Sequence, residues 1–265
     1  MQLNDDRGMD VVDLAEIALK TQLNSEVVLQ RTRGIYERVL SRSRYLQAGN
    51  FRSIHADDLA TLFEAYDTEF FRGACLASLG GKRLDFRVST RMTSAGGKTF
   101  HYTPRFKSGQ EWYEIAVSAP LLFQTFRDVS RPVTVCGVSC KDRLEALQRI
   151  FEHEMIHLVE LVSWRNSECS APRFQSIASR MFLHREHTHN LITQSERAKV
   201  KFGIVAGSRV QFEYEGRMFT GVVNRVTKRA TILVEDPSGM RYSDGKHYMK
   251  FYIPLDHLQP VGQGR

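Results

Sequence analysis

His153-Glu154-Met155-Ile156-His157 is the stretch from which the rest of this chain is best read. Histidines four apart on a helix point from one face about one turn apart, so both can reach a single ion. Neutral imidazole suits Zn²⁺, whose catalytic shell is tetrahedral with one position open. Glu154, next to His153, faces the same cleft and can take a proton from a water there. His153 and His157 are therefore candidate metal ligands and Glu154 a candidate general base, with hydrolysis as the expected chemistry.

The surroundings of the motif agree with a buried helix. Ser139 and Asp142 have the spacing of a capping box, and the pattern predicts a helix from Ser139 to Val162 or Trp164. Leu144, Leu147, Phe151, Leu158 and Leu161 form one apolar face, with Ile150, His153, His157 and Glu160 on the neighbouring one. A helix apolar on most sides is buried, and its polar exceptions need partners. A catalytic site needs a third protein ligand. Cys169, His184, His187 and His189 are candidates, and Glu160 fits better as a group that orients an imidazole.

Working outward, helical spacing is expected over Val11–Leu23 and Ser25–Leu46, the second carrying Arg31, Arg33, Arg38, Arg42 and Arg44 on a wet face. Asp57 or Asp58 can cap a third helix with a stripe of Leu59, Leu62, Phe63, Tyr66, Phe70 and Phe71. Alternating strands are expected at 83–89 and 113–118, with a short one at 99–102 after a turn at Gly96-Gly97. Pro120 opens a helix, and Pro172 begins another that ends near Phe182. Residues 193–206 read as a polar linker. From Gly207 the pattern is all strand and turn, with strands at 209–214, 219–226, 230–234 and 246–253. The fold class is thus α+β: an N-terminal helical extension (1–55), a zincin-like metallopeptidase domain of helices and a small sheet (56–192), a linker, and an all-β small barrel (207–265).

Composition narrows the class. The 265 residues are 42% hydrophobic and 25% charged, ordinary for a globular chain. No run approaches the ~20 apolar residues of a membrane helix, and the N-terminus lacks the plan of a secretory signal, so a cytoplasmic location is the default. Four scattered cysteines make no disulfide scaffold; Cys136 and Cys140 read as buried thiols. A net charge of +7 allows an acidic partner, with nucleic acid or nucleoprotein foremost.

The region from Leu59 to about Leu191 resembles the SprT-like family of zinc metallopeptidase domains. Leu62-Phe63-Glu64-Ala65-Tyr66-Asp67-Thr68-Glu69-Phe70-Phe71 is similar to the family's L-F-x-x-Y-N-x-x-F-F helix, Ile115-Ala116-Val117-Ser118 to its I-x-L-S strand, and His153–His157 to its H-E-M-I-H. The resemblance implies a peptidase acting on protein or peptide substrates with zinc as cofactor. It departs at Ser170-Ala171-Pro172-Arg173-Phe174, where the family's H-G-x-x-F element would place a histidine ligand at Ser170. A non-catalytic relative serving as a binding module is the competing expectation. The C-terminal segment resembles barrels of the Tudor or KOW kind. In it Arg225, Lys228 and Arg229 offer a phosphate-contacting edge, with Tyr214 or Tyr242 as a stacking surface.

Overall fold

The computed structural model describes residues 13–104 and 109–261, so Val11 and Val12 of the first expected helix lie outside the described residues. The chain is α+β, and among the described residues none of its sheets closes into a barrel. It divides into two compact units, one drawn from Met1–Ser89, Gly97–Val117 and Thr134–Asn190, the other from Thr90–Gly96, Ser118–Val133 and Leu191–Arg265. No helix among the described residues is long and apolar enough to cross a membrane.

In the first unit, α1 (Leu14–Lys20) is capped by Asp13, and α2 (Ser25–Arg42) by Asn24. The arginines of α2 work within the protein as well as towards water: Arg31 and Arg38 both engage Glu69, and Arg33 pairs with Glu37. The next helix, α3 (Ala56–Phe71), is capped by His55 rather than by Asp57 or Asp58. Asp58 closes the capping box from the third helical position, its carboxylate accepting from the His55 backbone N–H at 2.7 Å. A short α4 (Ala74–Ser78) follows.

Strands β1 (Arg83–Ser89), β2 (Gly97–Tyr102) and β3 (Trp112–Ser118) form a sheet in the order β1-β3-β2, so β2 is an edge strand antiparallel to β3. Two three-residue strands missed by periodicity, β4 (Val133–Val135) and β5 (Val138–Cys140), make a separate ribbon. Runs this short carry too few alternations to be read. Ser139 therefore lies in a strand, and the central helix α6 (Arg143–Trp164) starts later than its sequence suggests, capped by Asp142 through the Glu145 N–H. Helix α7 (Pro172–Phe182) follows with Pro at its tolerated first turn. Leu59, Tyr66, Phe70, Phe71, Phe151 and Phe182 are buried together around α6. Each aromatic contributes burial plus roughly 1 kcal/mol of ring–ring geometry.

In the second unit α5 (Ala119–Gln124) starts one residue before the expected Pro120, which sits in its first turn. Residues 194–202, inside the expected linker, form helix α8 (Gln194–Phe202), capped by Thr193 and packed through Ala198 onto the sheet core. Its short apolar side is masked by the polar residues between. Strands β6 (Arg209–Tyr214), β7 (Arg217–Val226), β8 (Ala230–Arg241), β9 (His247–Ile253) and β10 (Gln259–Pro260) form an antiparallel sheet ordered β10-β6-β7-β8-β9. The barrel expected here is corrected to an open sheet. Its last strand is two residues long and ends in Pro260, which has no N–H to donate, so it pairs with β6 and offers β9 no ladder.

Candidate metal centre

Helix α6 presents His153 and His157 on one face, and their Nε2 atoms lie 3.1 Å apart. Phe174, near the start of α7 and buried, packs against both rings with centroids 4.8 and 4.7 Å away. Cys169 comes from the connection between α6 and α7. The donor atoms of His153, His157 and Cys169 all lie within 4.8 Å of one another, and no other group of three His, Cys, Asp or Glu residues does so among the described residues.

The hydrogen bonds place the proton of His157 on Nδ1. The Ser167 hydroxyl donates to buried Glu160 at 2.6 Å, so its oxygen accepts at 2.7 Å from Nδ1–H of His157. Nε2 of His157 is then a bare lone pair. The Cys136 sulfur lies 3.7 Å from Nδ1 of His153 and 4.0 Å from the Arg149 carbonyl. With the thiol donating to Nδ1, His153 carries its own proton on Nε2 and can donate it to His157 across the 3.1 Å gap; a metal ion there would take the place of that proton. Burial holds His153 down at about 3, helped by the neighbouring histidines, and His157 at about 4 against the opposing pull of Glu160, so both rings are neutral and able to act as ligands at neutral pH. Ligand bonds of about 2.05 Å in a tetrahedral shell place nitrogens roughly 3.3 Å apart, so these residues fit a metal ion. Burial also raises the Cys169 thiol, so it needs a cation to become a thiolate.

Glu154 is buried beside this cluster. Its carboxylate accepts from the Thr99 hydroxyl of β2 at 2.8 Å, and the same hydroxyl lies 3.0 Å from the Glu154 carbonyl. Burial pushes its carboxyl up to about 7, outweighing the Thr99 bonds and the positive field of Lys98, which lower it. Gly97 makes the approach of β2 possible. A Cβ there would sit 2.7 Å from Cγ and Oε1 of Glu154 and 2.8 Å from the Ile150 side chain. The chain has no match among family models, curated proteins or solved structures.

Of the third-ligand candidates, Cys169 is the one brought to the two histidines. Glu160 stands behind His157, reaching it through Ser167, and is itself held by the Arg173 guanidinium at 2.6 Å. Buried His184 belongs to another network: its Nε2–H donates to Glu152 at 2.9 Å, alongside Arg149 at 2.8 Å and the Tyr66 hydroxyl at 2.7 Å. His187 is exposed, and His189 forms an isolated β-bridge with Val135. Ser170 is exposed, its hydroxyl donating to Glu168 at 2.5 Å.

Sequence reasoning missed Thr99, Gly97, Ser167 and Arg173. Gly97 read as a turn residue, and Ser167 and Arg173 gave no signal, because each acts through a contact made only by folding. The capture of Cys169 follows from a tight exit from α6: Arg165 ends the helix in the left-handed conformation (φ 60°), which turns the chain back towards His157.

Proposed function

We propose that this chain is a zinc-dependent peptidase of the SprT-like kind, with His153, His157 and Cys169 as ligands and Glu154 as general base. The observation that carries the reading is the convergence of two neutral imidazoles and a thiol beside a buried carboxyl. Two imidazoles and a thiolate form a borderline-soft donor set that suits zinc better than magnesium or calcium. Bound there, zinc supplies Lewis acidity, drawing the pKa of water towards about 7 and polarising a carbonyl.

Glu154 moves the protons. As carboxylate it accepts one from water while the water oxygen bonds to the peptide carbonyl carbon. It then delivers that proton to the departing amine nitrogen as the C–N bond breaks. A carboxyl within reach of both the water and the amine nitrogen can take the proton from one and return it to the other. Thr99 fixes the rotamer of that carboxyl, and the Ser167–Glu160–Arg173 chain fixes the tautomer of His157.

The test is elemental analysis joined to proteolysis of an unfolded protein such as casein. About one zinc per chain is expected. His153→Ala should remove it and Cys169→Ser should weaken it by at least about tenfold. Glu154→Gln should keep the metal and lose cleavage by roughly a hundredfold or more. Absence of zinc and of cleavage would leave a non-catalytic module as the correct reading, and cleavage unchanged in Glu154→Gln would overturn the role given to Glu154.

A further inference from the structure

The five-stranded sheet of the second unit has a core face and an outer face, and register separates them. Directly paired residues share a face in an antiparallel sheet. Val210, Val223, Ile232 and Phe251 are buried on the core side. The rows Arg209–Val222–Leu233–Lys250 and Arg225–Thr231–Tyr252 therefore lie on the other. Arg225 reaches the outer face because the ladder shifts between Val223 and Arg225, a bulge that offsets its odd spacing from Val222.

Charge is uneven along the strands of this sheet, and those two rows hold cations and no carboxylate. At the end holding those two rows stand Arg209, Arg225 and Lys250, with Lys228 and Arg229 on the adjoining turn, all exposed. Arg209, Arg225, Lys228 and Arg229 form no ion pair among the described residues. The acids Glu213, Glu215, Glu235, Asp236 and Asp244 fall towards the opposite end, mixed there with Arg217, Arg241 and Lys246, and Glu235 pairs with Lys246 at 2.7 Å. Among the cations Tyr252 stands 55% exposed, and the Lys250 ammonium lies 5.6 Å over the ring of Tyr242. Tyr214 is not part of this face: it shares the parity of Phe212 and packs edge-on against Phe251 at 5.3 Å.

We propose that this basic half of the outer sheet face binds single-stranded nucleic acid, its phosphates running along Arg209, Arg225, Lys228 and Arg229 while a base stacks on Tyr252. A run of unneutralised cations calls for a polyanion, and an exposed ring among them calls for a planar partner. An acidic peptide would answer the charge and leave the ring unused. A duplex keeps the faces of its bases stacked inside and offers Tyr252 nothing.

The proposal stands independently of the peptidase reading, and fluorescence anisotropy of the full chain with a labelled oligothymidine of about 20 nucleotides tests it. Over a potassium chloride series affinity should fall steeply, by about 0.7 log units per decade of salt for each phosphate neutralised. The triple variant Arg225→Glu, Lys228→Glu, Arg229→Glu should weaken binding at least tenfold at low salt and flatten that slope by about two. Tyr252→Ala should weaken binding about tenfold with the slope unchanged, and Tyr252→Trp should restore it. All these side chains are exposed, so circular dichroism should not change. The proposal fails if no saturable binding occurs at low salt, or if the triple variant binds like the parent. It fails equally if blunt duplex binds as tightly with Tyr252→Ala silent, or if polyglutamate displaces the strand at equal charge.

Discussion

Glu154 and the two histidines beside it pull the pH dependence of stability in opposite directions. Between pH 4.5 and about 7 the folded chain keeps a proton on Glu154 that the unfolded chain has released, so this contribution to stability falls as pH rises. His153 and His157, held at about 3 and 4 against an ordinary 6.5, leave the unfolded chain with the extra protons, so theirs rises with pH up to about 6.5. Comparing chelator-treated wild type with Glu154→Gln isolates the carboxyl. The variant should gain on the wild type by roughly 2–3 kcal/mol as pH goes from about 5 to 8, read by denaturant unfolding. A gap constant with pH would mean that burial does not hold this carboxyl up. The motif told which residues titrate; the size of each shift depends on a desolvation that no single position encodes.

At the scale of elements, the site is the meeting of α6 with an edge strand. β2 comes close enough for Thr99 to bond Glu154 only because position 97 has no side chain. Gly97→Ala places a methyl carbon where Glu154 and Ile150 already are, and overpacking of this kind costs about 1–3 kcal/mol. On the proposed peptidase reading the expected outcome is zinc binding retained, since the proposed ligands lie on α6 and the connection to α7, with peptidase turnover lowered at least about tenfold as Glu154 is displaced. Turnover equal to the parent would show that the close approach is dispensable. Long elements were legible in sequence: α2, α3, α6 and α7 carry enough turns for their period to show. The start of α6 was not, because Ser139 and Asp142 both offer capping chemistry and only the β4–β5 ribbon, built from contacts outside the helix, excludes Ser139.

For the whole molecule, a metal that binds only the folded site adds its binding energy to stability. At free zinc about a hundredfold above the dissociation constant the gain is about 2.7 kcal/mol. Thermal unfolding should shift upward with zinc in wild type, shift little in His153→Ala, and return to the baseline with chelator. A wild-type midpoint indifferent to zinc would remove the metal from the account of this fold. The sequence alone determined the α+β class, the helix carrying His153, Glu154 and His157, and the change to strands beyond Gly207, because periodicity and local spacing are properties of neighbours along the chain. Tertiary structure alone decided that Cys169 is brought to the histidines, that Glu160 reaches His157 through Ser167, and that the last sheet stays open. Those depend on atoms far apart in sequence meeting within a hydrogen bond or a ligand bond, and on a final strand too short, and too poor in donors, to close a ring.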